Sequence, residues 1–114
     1  IAYDDEYNGL ALDSNEGDRI ASKMGKASIL FMACHGVIVT GESVARAFTD
    51  LYYLERASMF QVLARSTGGN LRQIPDSVRE ATRGQMNKEL PLIGERHFSA
   101  LRRILDREEP DYRS

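Results

Sequence analysis

Several kinds of chemistry are excluded by what this sequence lacks. It has one cysteine, Cys34, so no internal disulfide can form, and a reducing compartment suits it. No apolar run approaches the roughly 20 residues that cross a bilayer, and no signal-peptide pattern opens the chain. A cytoplasmic location is the expectation from both. There is no excess of positive charge: 15 Lys and Arg stand against 17 Asp and Glu, a formal charge of −2. That argues against nucleic acid or an anionic membrane as a partner. Serine-nucleophile motifs, internal repeats and low-complexity linkers are missing. So is a phosphate-cradling loop, because Gly68-Gly69 follows a predicted helix instead of preceding one. Histidine is scarce too. His35 and His97 are the only two, whereas a catalytic zinc needs three protein ligands.

What is present reads as one globular domain, or part of one, over residues 1–114, with no internal boundary. The most distinctive stretch is Ala27 to Gly41, ASILFMACHGVIVTG, an apolar run interrupted by His35 with Gly36 directly behind it. Its β-branched and aromatic content predicts strands buried on both faces, over 29–33 and 37–39, or one strand continuing after a kink. Residues 1–12 predict an extended or looped lead-in with Tyr3 and Tyr7 half buried. Asp13 caps a short helix with Glu16 three residues on, and Gly25 ends it. Ser43 caps the longest helix, running to about Ser66, with Val44, Phe48, Leu51, Leu54, Met59, Val62 and Leu63 on its apolar face. Opposite charges four apart link Glu42 to Arg46 and Arg46 to Asp50. Tyr52, Tyr53 and Glu55 border that face, which suits a helix that also meets a neighbouring subunit. Pro75 starts another helix, Pro91 a last one, and Pro110 ends it.

The result is an α/β layer pattern with two or three strands and about four helices. Two apolar strands cannot form an independent parallel sheet. The chain also begins with Ile1 instead of Met. Both features fit the remainder of a longer polypeptide, or one completed by another chain.

His35 carries two readings. A lone histidine on an apolar strand is commonly a core residue bonded to backbone. Against that, His35 ends a strand, Gly36 permits a close approach by backbone or ligand, and neutral imidazole is the commonest metal ligand. Cys34 reads as a small buried hydrophobe, and a Cys34–His35 dyad would require the strand to bend between them. His97 reads as a surface or subunit-contact histidine. Glu42, Asp50 and Glu55 are carboxylates on one solvated helix face.

The run FMACHGVIVTGESVARAFTDLYYLERA resembles the C-terminal half of the class II aldolase/adducin domain: apolar strand, Asn-His-Gly, apolar strand, Gly, then a long helix ending Leu-Glu-Arg-Ala. The likeness is good from Leu10 to Arg65 and looser from Ile74 to Pro110. It implies a three-layer α/β/α fold in a homotetramer with active sites between subunits. It also implies a divalent metal, usually zinc, on three histidines, of which His35 is the third. The first two belong to an upstream His-x-His segment that this chain does not contain, and Cys34 replaces the usual Asn. The implied activity is a metal-dependent lyase, of aldolase or decarboxylase type, acting on a small oxygenated carbonyl substrate through an enolate or enediolate. Tyr112 is the candidate for the tyrosine that such proteins bring from a neighbouring subunit. A non-catalytic adducin-like assembly domain that has lost the metal is the alternative.

Overall fold

The computed structural model describes residues 1–10 and 12–113; Ala11, within the expected lead-in, lies outside the described residues. Contacts group the chain into two compact units, Ile1–Glu42 and Ser43–Ser114. The fold class is α/β, as expected from the sequence.

The first unit comprises β1 (Ala2–Asp4), α1 (Ser14–Met24), β2 (Ile29–Met32) and β3 (Gly36–Val39). The lead-in thus supplies a strand. β1 pairs parallel with β2, and β2 antiparallel with β3, so Ala27–Gly41 is a hairpin. Helix α1 is set by local chemistry. Asp13 Oδ1 accepts the Glu16 N–H at 2.9 Å, and Gly25 stops the helix at φ 53°, a conformation that favours glycine. The Glu16 carboxylate does not return to the cap, as a capping box would have it; it binds Arg19.

Register puts Ala2, Asp4, Leu30, Met32 and Ile38 on one face of the sheet. That face meets α1, and Leu30 on it is fully buried. On the opposite face Tyr3 stacks on Phe31, with centroids 5.7 Å apart. The expectation of strands buried on both faces is therefore corrected: Leu30 alone among the β2 and β3 side chains is fully covered, because within this unit α1 supplies one layer only. Tyr7, at 52% exposure, is half buried as expected, whereas Tyr3, at 67%, is more exposed than that.

The second unit consists of α2 (Val44–Ser66), α3 (Asp76–Glu108) and a final 3-10 turn, Pro110–Arg113. Ser43 Oγ accepts the Arg46 N–H at 3.1 Å and starts α2 where expected. Arg46 pairs with Asp50 at 2.8 Å. The two helices expected around Pro91 are one, and at 33 residues α3, not α2, is the longest. Proline's fixed φ is helical, and its missing N–H deprives only the Asn87 carbonyl of its helical donor. Pro91 is exposed, so water can serve that carbonyl.

Helices α2 and α3 approach through small residues. Ala45, Thr49 and Gly94 are buried at the contact. Of the two expectations for His97, a surface or a subunit-contact histidine, the first is corrected, because the residue packs between α2 and α3. Its Nδ1 lies 3.2 Å from Thr49 Oγ1, and Phe48, Tyr52 and Tyr53 surround its ring. A β-carbon on Gly94 would sit 3.7 Å from the Ala45 carbonyl oxygen and 3.8 Å from Thr49 Oγ1, room for a methyl and little else. Gly94→Ala should therefore stabilise the unit by up to about 1 kcal/mol through helix propensity. Gly94→Leu should destabilise it by about 1–3 kcal/mol through overpacking. Thermal unfolding checks both, and a destabilised Gly94→Ala would refute the assigned clearance.

Candidate functional site

Met32 pairs with Gly36 at the closed end of the β2–β3 hairpin, leaving residues 33–35 as the turn. The His35 N–H donates to the Met32 carbonyl at 3.3 Å. Cys34 makes the reversal at φ 56°, a region L-residues other than Asn, Asp and Gly seldom enter. The strand therefore does bend between Cys34 and His35. Both side chains are exposed, so neither the core-histidine reading nor that of Cys34 as a buried hydrophobe holds. Gly36 is required for its φ of 154° and not for close approach, since a β-carbon there would meet nothing within 4 Å.

The His35 ring has one aromatic neighbour, Tyr7, with centroids 6.0 Å apart. Beside them lies a cleft lined by Asp4, Glu6, Arg19, Met32, Tyr7 and His35. Its volume of about 10 Å³ is near the minimum for one water molecule, so the cleft is a junction, not a substrate pocket.

An ion-pair network occupies this junction. Arg19 donates from Nη1 and Nη2 to both oxygens of Asp4, at 3.0 and 2.7 Å. It also donates from Nε and Nη2 to both oxygens of Glu16, at 2.8 Å each. The Asp4 side chain has no exposure to solvent. Asp4 Oδ1 further accepts the Glu6 N–H at 3.3 Å, and Lys23 reaches Glu6 at 3.3 Å. Hydrogen bonds from Arg19 hold the Asp4 and Glu16 carboxyls below the usual carboxylate range, against the opposing effect of desolvation. The same contacts raise Arg19. Asp4 and Arg19 went unnoticed in the sequence because they stand 15 positions apart on different elements and share no motif.

His35 lies in the first unit and Tyr112 in the second. Its hydroxyl donates to Asp106 Oδ1 and accepts from Arg113 Nε at 3.0 Å, while the Arg113 guanidinium covers its ring. The Tyr112 hydrogen bond is the chief cause of a lowered Asp106 pKa. The terminal turn is thus closed on itself.

The donor set bears directly on a metal. Among the described residues no group of three His, Cys, Asp or Glu side chains is arranged to hold a metal ion, and both Asp4 oxygens are engaged by Arg19. These residues do not form a metal centre by themselves. They present one accessible imidazole on an ordered turn.

Comparison with known proteins agrees with this arrangement of strand, His-Gly turn, strand and long helix. Residues 1–62 match the family described as the Class II Aldolase and Adducin N-terminal domain. A Caulobacter vibrioides protein provisionally named as aldolase class 2 is 34% identical over 98% of this chain and 44% of its own. Rat alpha-adducin is 31% identical over 93% of this chain and 16% of its own. The crystal structure of an aldolase II superfamily protein from Pseudomonas syringae has 35% identity and a TM-score of 0.80, over 99% of this chain and 45% of that one. The chain belongs to the class II aldolase and adducin family. It spans less than half the length of the aldolase-named relatives it matches.

Two outcomes follow from this geometry. Relieving the positive φ of Cys34 with Asn or Gly should raise stability by about 1 kcal/mol, whereas Val should lower it by a similar amount. Chemical denaturation of the three variants would settle this, and a Val variant as stable as Asn would contradict the strained turn. The second concerns pH. Carboxyls lowered in the folded state contribute stability that is complete above their unfolded pKa values of about 4 and is lost as pH falls through the lower folded values. Thermal midpoints should therefore drop on acidification below about pH 4, and Asp4→Asn should flatten that slope. An unchanged slope in Asp4→Asn would exclude Asp4 as its source.

Proposed function

We propose that this chain contributes His35 as one ligand to a divalent metal, most simply zinc, in a lyase of aldolase or decarboxylase type. The observation that carries the proposal is the exposed imidazole, held on a short turn between two paired strands and followed by Gly36. An imidazole presented in this way is a donor suited to zinc. The other ligands would come from outside this chain. A divalent ion there would act as a Lewis acid on the carbonyl of a small oxygenated substrate.

This chain's own part is positional. The hairpin fixes where the imidazole sits, Gly36 supplies a backbone conformation that β-carbon-bearing residues avoid, and Tyr7 flanks the ring. We place Tyr112 at a neighbouring subunit's site in a homotetramer. In support of assembly, Phe60, Val62 and Leu63 on α2 are 62, 67 and 56% exposed, more apolar surface than an isolated helix usually shows to water. Work in a reducing cytoplasm is consistent with one free cysteine.

A second reading, an adducin-like assembly domain without metal, draws on Cys34. The family resemblance puts Asn at the very position where the backbone turns at φ 56°. Asn tolerates that conformation better than Cys, so the substitution hints at relaxed demands on the turn.

His35→Ala in the whole protein separates the two. The enzyme reading expects metal content by elemental analysis to fall well below one per subunit, with lyase activity lost. Unchanged metal content and activity would rule it out. Absence of metal from the unaltered protein would favour the assembly reading.

A further inference from the structure

We infer that Asp4, locked by Arg19, is the positioning residue for His35, a role that deepens the metal-ligand reading and rests on it only for its purpose. Asp4 reaches the turn by two routes. Its backbone carbonyl accepts the Ala33 N–H at 2.8 Å, one residue beyond the paired Asp4 and Met32. That bond fixes the first residue of the Ala33–His35 turn. Its side chain acts on the other side. Asp4 Oδ1 takes the Glu6 N–H and so directs the chain leaving β1 toward Tyr7, whose ring flanks His35. One residue thereby sets the backbone under the imidazole through its carbonyl and the ring beside it through its carboxylate.

The carboxylate can do this because it is immobile. A buried carboxylate is stable only when paired and hydrogen-bonded. Arg19 meets both requirements with a fork whose planar geometry matches two oxygens at once. Arg19 is itself gripped by both oxygens of Glu16, one turn earlier on α1. The order of support therefore runs from α1 through Arg19 to Asp4, and from Asp4 to the turn. Glu16 touches Arg19 but not the turn, which makes it the natural control.

The test uses the whole protein and two readouts, experimental structures and zinc affinity by chelator competition. Asp4→Asn keeps the size of the side chain and removes the charge that holds Arg19. Its structure should show the Tyr7 and His35 rings further apart than 6.0 Å, while the backbone Ala33–Asp4 bond, which needs no side chain, stays in place. Zinc affinity should fall about 10–100-fold, the usual cost of removing a residue that orients a ligand. Arg19→Lys, which keeps the charge but not the fork, should shift both in the same direction by less, and serves if Asp4→Asn does not fold. Glu16→Gln, which keeps one acceptor for Arg19 and is one step further from the turn, should lower the melting temperature and move the ring pair and zinc affinity far less than Asp4→Asn does.

A folded Asp4→Asn that retains the Tyr7–His35 ring pair would overturn the inference, as would a Glu16→Gln that moves the rings just as far. If the unaltered protein takes up no zinc, the metal-ligand reading fails, and the structures of the variants still decide whether Asp4 positions His35.

Discussion

A carboxylate with no access to water dominates the first unit, and Arg19 is what permits it. Taking an ionised Asp4 out of solvent is strongly unfavourable unless the charge is matched and each oxygen accepts a hydrogen bond. Arg19 supplies both from α1, while the Glu6 N–H adds a third donor. The pair also solves a packing problem. A three-residue strand such as β1 has little apolar surface with which to hold its helix. Here an ion pair joins β1 to α1 beside Leu30, the one fully buried apolar side chain among the unit's described residues. The second unit uses a different principle, in which Ala45, Thr49 and Gly94 let two helices approach closely and aromatic side chains close around His97.

Features specified by neighbouring residues were readable in the sequence. Asp13, Gly25 and Ser43 each act within three or four positions, and all three cap as their chemistry requires. The break at His35 was also visible, since the apolar run is interrupted by a histidine followed by glycine, but a single kinked strand stayed open and the antiparallel pairing came only with the structure. What could not be read was burial. β-branched and aromatic content indicates a strand, but it does not say how many layers cover it, so Phe31 and Val37 were assigned to a core that this chain does not supply. Pro91 misled for a related reason. A proline signals a helix start as readily as an interior position where the displaced carbonyl faces water, and only the surroundings distinguish the two.

The site was legible in one residue and hidden in the rest. His35 stands out by being the lone titratable group in an apolar run. Its support does not, because Asp4 sits among Asp5 and Glu6 in a segment that looks like ordinary solvated charge. Selecting Asp4 from three adjacent acids depends on strand register: β1 pairs with β2 so that position 4 faces α1 while position 5 does not. Register is a tertiary fact, and so is the reach of Arg19 across 15 positions.

These points change what kind of object His35 is. A histidine satisfied within a core would have its nitrogens spent on backbone, and a histidine on a loose surface loop would have to be ordered before it could bind anything. His35 is neither: its side chain is exposed, while the backbone beneath it is tied to Met32 and, through Ala33, to Asp4. The entropy of fixing a donor is thereby met on folding and not on binding, which is the condition for a strong contact from a single group. One ordered imidazole cannot select or retain a catalytic ion, since tetrahedral sites draw on three protein ligands. Under the proposed function this chain is accordingly a contributor of one ligand. Its hairpin would then deliver a donor at a defined place, and whether that donor serves catalysis or stands idle in an assembly domain depends on the residues brought to face it.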